Sequence, residues 1–170
     1  NNNLAWGYNI FRKAGATMPE APKVQTEEEV RAQDYYDSED AFNFYHEVWG
    51  GENIHVGIYN GIAENSEVIR EAGEKSLSKL FEVRPPAKGA RIMDMGSAYG
   101  GCARHARAKF GAKVSCVDLS AKENAKNAER NKAAGIPEDE IWIAGERSFT
   151  ATGEPEDSFD LIVSQDSFLH

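Results

Sequence analysis

The chain has 170 residues, 41% hydrophobic and 28% charged, with 19 Lys and Arg against 28 Asp and Glu and a formal charge of −9. That length and balance suit one globular domain with its own core and exclude a fibrous or wholly disordered chain. An acidic surface repels phosphate backbones, which argues against nucleic acid as a partner, and apolar runs of only a few residues exclude a membrane-spanning helix.

Two cysteines occur, Cys102 and Cys116. Neither has metal-ligand spacing, and the histidines are too scattered to complete a site, so no metal is expected. Free buried thiols and a polar opening without an apolar leader point to the cytoplasm.

In chain order, Leu4, Trp6, Tyr8 and Ile10 alternate as one face of a strand. A strand alone needs a sheet to join, so residues 1–13 read as the terminal strand of an upstream domain, with an ordinary N-terminal strand as the alternative. Residues 14–30, with Pro19 and Pro22, read as a linker. A helical stretch follows over 26–48, opened by the capping-box pair Thr26 and Glu29 and interrupted by the acidic run 34–40. Residues 49–59 are glycine-rich and aromatic, too apolar for an ordinary exposed loop. The spacing of Val68, Ile69, Ala72, Leu77, Leu80 and Phe81 predicts a helix over 66–81, closed by Pro85 and Pro86.

From Arg91 onwards strands and helices alternate. Strands are predicted over 91–95, 113–119, 140–144 and 159–164. Helices are predicted over 100–110, stopped by Gly111, and over 121–134, capped by Ser120 and ended by Gly135 and Pro137. This repetition predicts an α/β fold, a Rossmann-like doubly wound parallel sheet. Residues 31–89 form its N-terminal helical lid and 90–170 its cofactor-binding sheet. With its fourth strand close to residue 170, the sheet is expected to be truncated.

The strongest local signal is Asp94-Met95-Gly96-Ser97-Ala98-Tyr99-Gly100-Gly101, a strand running through a glycine turn into a helix. Such a turn sits where ligands bind in doubly wound sheets, and small residues allow close approach of the backbone. A dinucleotide would want Gly-x-Gly-x-x-Gly, and a carboxylate at Asp94 would repel its pyrophosphate. This argues against a nicotinamide-dependent dehydrogenase. Asp94 suits a ligand with cationic groups, such as S-adenosyl-L-methionine, and Asp118 at the end of the second strand suits its ribose hydroxyls. Past the third strand, Ser148 and Phe149 border the expected position of adenine, with core packing as the alternative for Phe149.

These residues resemble a known family. Asp94-x-Gly96-x-x-x-Gly100-Gly101 is similar to the first motif of class I S-adenosylmethionine methyltransferases. More narrowly, four segments resemble the sarcosine/dimethylglycine N-methyltransferases, which form glycine betaine, an osmoprotectant. They are Tyr35-Tyr36-Asp37-Ser38, Phe44-Tyr45, the loop from Trp49 to Gly57 and Ser164-Gln165-Asp166-Ser167-Phe168-Leu169-His170. Phosphoethanolamine methyltransferases are similar at several of the same places. The opening 4–13 resembles the last strand of such a domain, which implies a tandem protein.

The resemblance implies a small-molecule amine substrate and a cofactor site of Asp94, Gly96, Ser97, Ala98, Gly100, Asp118, Leu119, Ser148, Phe149 and Gln165. It implies His170, Asp166 and Tyr36 as catalytic residues, and Tyr35, Trp49 and His55 as substrate contacts. Aromatic faces stabilise the ammonium that amine methylation produces, and an imidazole accepts a proton near neutral pH. One departure stands out: Ala98 occupies a position that is usually Gly, at a cost on the order of 1 kcal/mol if φ is positive. A degenerate domain that binds the cofactor as a sensor is the remaining alternative. Oligomeric state is not legible in the sequence.

Overall fold

The computed structural model describes residues 25–49, 51–61 and 68–168. The strand predicted near residue 10, the linker up to residue 24, and His170 lie outside that set.

Four strands carry the fold: β1 (Arg91–Met95), β2 (Lys113–Asp118), β3 (Ile141–Glu146) and β4 (Leu161–Val163). All pair in parallel, in the order β3-β2-β1-β4. The chain winds outward from β1 to β3, then crosses back to place β4 on the other side of β1. The switch point therefore falls between β1 and β4, where a crevice opens at the carboxyl ends of the strands.

β1 and β2 are buried at every position but the first, as strands covered on both faces must be. Successive side chains feed two cores. Ile92, Val114 and Cys116 join Leu77 and Phe81 of α3 (Val68–Val83) and Ala103 and Ala106 of α4 (Gly101–Phe110). Met93, Met95 and Val117 point to the opposite face, against Ala144, Phe149 and Phe159. Beside α4 lies α5 (Ala121–Ala133), joined to it by Arg104, whose guanidinium donates to Asn127 (3.1 Å) and Asn131 (2.8 Å).

The lid differs from the sequence expectation in its joints. Its helical stretch divides into α1 (Glu27–Tyr36), α2 (Glu39–Asn43) and a π-helical turn, Phe44–Val48. The start of α1 lies inside the stretch assigned to the linker, because the capping box forms: Thr26 N–H donates to Glu29 Oε2 (2.8 Å) and Glu29 N–H to Thr26 Oγ1 (3.2 Å). Ser38 makes the break that the acidic run announced. Its hydroxyl accepts from Ala41 N–H (3.2 Å) to open α2 and donates to the Tyr35 carbonyl (2.6 Å). The aromatic loop is strapped to two helices of the domain. Ile58 N–H donates to Ala72 O of α3 (3.0 Å), and Arg104 of α4 donates to Glu52 (2.6 Å).

β4 has three residues rather than the predicted six: it starts two residues later, at Leu161, and ends one earlier, where past Val163 the hydroxyls of Ser164 and Ser167 pair and Ser167 donates to Met95 O of β1 (2.8 Å). Among the described residues no helix is long and apolar enough to cross a membrane.

Candidate active site

A cavity of about 340 Å3 lies at the carboxyl ends of the strands. The start of α1, the aromatic loop, the glycine turn, the start of α5 and the loops after β3 and β4 all contribute to its wall.

The turn is built for close approach from two sides. Gly96 and Ser97 N–H both donate to Val117 O (2.8 and 3.2 Å), which folds the chain back over β2. At Gly96 φ is +79°, and a Cβ there would lie 2.2 Å from Ser167 Cβ. At Gly100 φ is +80°, and a Cβ would lie 2.0 Å from Asn127 Oδ1. Gly96 thus faces the cavity and the β4 loop, whereas Gly100 makes room for α5 behind it. Ala98 adopts φ +43°, the left-handed region in which a Cβ costs on the order of 1 kcal/mol. Its N–H donates to Asp118 Oδ2 (2.9 Å), which holds it there.

Asp118 is fastened by the backbone. Besides Ala98, the N–H group of Ser120 (2.9 Å) donates to it, one donor on each carboxylate oxygen. Burial nevertheless raises its pKa, against the pull of the backbone N–H groups. Asp94 lies elsewhere than the sequence suggested. It is 3% exposed, takes a hydrogen bond from the Cys102 thiol, and does not line the cavity. Burial pushes its pKa up to about 7, with a smaller contribution from the charge of Asp118. Ser97 is likewise beneath the turn, 5% exposed.

The lid contributes Tyr36, with its pKa raised to about 12, by burial first and by the charge of Glu123 second. Tyr36 stacks on Tyr45 (5.9 Å between centroids) and meets Tyr35 edge-on (5.0 Å). Tyr35 itself is 50% exposed and outside the cavity wall. Trp49 is also outside. It packs on Phe44 and donates its indole N–H to His55 O (3.4 Å), so it supports the loop that presents His55.

His55 lines the cavity, and its buried Nε2 has no partner. Burial lowers its pKa, only partly offset by the Val56 carbonyl and by Asp166, which favours the neutral imidazole. Asp166 sits at φ +57° and accepts Val56 N–H (2.7 Å). It therefore clamps the aromatic loop to the β4 loop. Gln165 donates to Ser76 Oγ (2.8 Å), while its buried Oε1 has no partner beside the cavity. Leu119, Ser148 and Phe149 line the same space. The Ser148 hydroxyl donates to Glu29, and Gln33 of α1 donates to Glu146 of β3 (3.0 Å), so the lid is latched over the β3 loop.

Three residues escaped the sequence reading. Asp37 Oδ1 accepts Ser120 Oγ (2.6 Å) and Lys122 N–H (3.1 Å), fastening the lid to the start of α5. Glu29 was read only as a helix cap, and it also lines the cavity. Glu123 lines it too, 2% exposed, with Oε1 unpartnered. The signal for Glu123 was present as Ser120-x-x-Glu123, the same pattern as Thr26-x-x-Glu29.

Over 140 residues, 82% of the chain, it is 39% identical to a sarcosine/dimethylglycine N-methyltransferase of Halorhodospira halochloris. The chain is a homologue of these methyltransferases. It spans about half the length of that relative, 48%. A solved structure assigned as a sarcosine dimethylglycine methyltransferase from Galdieria sulphuraria superimposes with a TM-score of 0.68 at 36% identity, over 79% of this chain and 50% of that one. A phosphoethanolamine N-methyltransferase of Haemonchus contortus, in complex with phosphomonomethylethanolamine and S-adenosylhomocysteine, matches at a TM-score of 0.57 and 26% identity. That match covers 80% of this chain and 29% of that one. No protein-family profile matches. The four parallel strands and their helices are those of the class I methyltransferase fold.

Proposed function

We propose that the protein is an S-adenosylmethionine-dependent N-methyltransferase of a small amine, sarcosine or dimethylglycine, on the route to glycine betaine. The observation that carries this reading is the charge of the cavity wall. Glu28, Glu29, Asp118, Glu123 and Asp166 line it, and no Lys or Arg does among the described residues. Such a wall repels pyrophosphate and favours a cationic nucleoside together with an amine. The relatives named for sarcosine and dimethylglycine support the acceptor class.

The bound cofactor supplies a sulfonium methyl group that an amine lone pair can displace. In this reading Asp118 takes a ribose hydroxyl. Leu119 and Phe149 flank the base with Ser148 at its edge, and Gly96, Ser97, Ala98 and Gly100 shape the turn beside it. Gln165 offers its unpartnered Oε1. Asp94 holds the turn from beneath through the Cys102 thiol. Tyr36 offers its ring to the ammonium that forms, backed by Tyr35, and Trp49 steadies the loop of His55. The neutral His55 keeps a free nitrogen lone pair for an amine proton, Asp166 holds that loop in place, and His170 is proposed as a base by resemblance alone. The free thiols Cys102 and Cys116 suit the reducing cytoplasm in which we place the protein.

A phosphobase acceptor would need a cationic cluster for its phosphate, and the described wall offers none. Titration calorimetry with S-adenosylmethionine, followed by methyl transfer to sarcosine, dimethylglycine and phosphoethanolamine, tests the reading. Cofactor binding with turnover of the first two is expected. Turnover of phosphoethanolamine alone, or no cofactor binding, overturns it.

A further inference from the structure

The helix that opens on the glycine turn has no cap of its own. α4 begins at Gly101, and its N-cap is Gly100, which has no side chain to offer the first turn. The opening N–H groups of a helix find no partner within it and are met from outside. Here the aromatic loop comes to them. Asn53 Oδ1 is buried and has no hydrogen-bond partner elsewhere. It lies against Gly101: a Cβ on that residue would come within 2.0 Å of it, and within 3.0 Å of Glu52 O.

The other wall of the seat is α3. A Cβ at Gly73 would lie 3.3 Å from Asn53 Cβ and 3.8 Å from His55 Cε1. Asn53 thus occupies a slot between α3 and α4 that two glycines keep open, and His55 follows two residues later. A buried carbonyl oxygen without a donor is costly, and the first-turn N–H groups of α4 are the donors next to it. Glu52 also holds α4, through Arg104 (2.6 Å), but its side chain is half-exposed and that ion pair holds the loop only weakly.

We propose that Asn53 is the N-cap of α4, supplied from the aromatic loop, and through that cap the positioning residue for His55. The role of His55 towards the acceptor rests on the function proposed above, whereas the cap rests on these contacts alone. One contact then joins the glycine turn to the loop that carries His55.

The test is an NMR titration of His55 in the full chain, with melting curves alongside. The variants are Asn53→Ala, Asn53→Asp, Gly101→Ala and Glu52→Gln, and His55→Asn identifies the signal among the four histidines. Beside the imidazole stand Asp166 of the β4 loop, Gly73 of α3 and the Val56 carbonyl, and burial outweighs them in lowering its pKa. In Asn53→Ala the loop lifts and water reaches the ring, so the midpoint should rise towards the ordinary 6.5. Gly101→Ala disturbs the same contact from the helix side and should move it the same way. Asp caps a helix as well as Asn does, so Asn53→Asp should keep the wild-type midpoint. Glu52→Gln loses an ion pair and no cap, and should keep it too. In methyl transfer Asn53→Ala should lose about tenfold in kcat, with Asn53→Asp at the wild-type rate. An unchanged midpoint in folded Asn53→Ala and Gly101→Ala overturns the proposal, and so does an equal rise in Asn53→Asp or Glu52→Gln. Absence of turnover by the wild-type chain overturns the function proposed above, and the titration still decides the cap.

Discussion

Two helices of this chain start with the same local chemistry and end with opposite results. At α1, Thr26 and Glu29 satisfy each other's backbone N–H groups and the box closes. At α5, Ser120 and Glu123 form only half of it, because Asp118 at the tip of β2 reaches the Ser120 N–H first. The first cap is exposed and complete, so its glutamate has capacity to spare and accepts the Ser148 hydroxyl as a latch. The second is buried and incomplete, so its glutamate is left facing the ligand space. A motif of four residues therefore reports a cap only when no third acceptor competes for the same donor.

Four substitutions sharpen or break that contrast. The largest effect is expected from the buried acid beneath the turn. Folded Asp94 keeps its proton up to about pH 7, whereas its unfolded value is 3.8. Between those values the native state binds more protons, so stability is greatest at the acid end and falls as pH rises. The fall amounts to at most on the order of 4 kcal/mol. In Asp94→Asn the decline between pH 4 and pH 7 should flatten in denaturant titrations. It should not vanish, since Glu123 and Asp118 are shifted in the same direction. An unchanged slope would mean that Asp94 is ionised in the fold.

Next comes Asp118→Ala, which leaves the N–H groups of Ala98 and Ser120 without their acceptor. A loss of about 3 kcal/mol of stability and of measurable nucleoside binding is expected. If Glu123 then closed its box on Ser120, the stability loss would be smaller, which chemical denaturation would register.

At α1, Thr26→Ala removes a cap and should cost about 1 kcal/mol in thermal melts. Loss of affinity as well would show that the lid must be latched for binding. Smallest is Ala98→Gly, which relieves a residue at φ +43° and should gain about 0.5 kcal/mol after the entropy of glycine is counted. A loss would mean that the methyl group packs against something worth more than the strain.

The sequence by itself determined the strand–helix alternation, the parallel sheet, the glycine turn and the placing of Asp118 at a strand end. Those follow from local periodicity and from residues whose backbone demands are their own: Gly96 in its turn, Gly111 past its helix, Pro85 and Pro86 after theirs. It also made Tyr36, His55, Phe149 and Gln165 legible as a group, through resemblance, and the fold brings all four to one cavity. Only the tertiary structure decided which acids meet that cavity. Asp94 turned under the turn to Cys102, and Glu123 came in. The physical reason is competition for hydrogen-bond donors. Asp37 reaches Ser120 and Lys122 across more than 80 positions of chain, and Asp118 reaches Ala98 across 20. Such contests are settled by packing between distant segments, and no local pattern contains the loser's new direction.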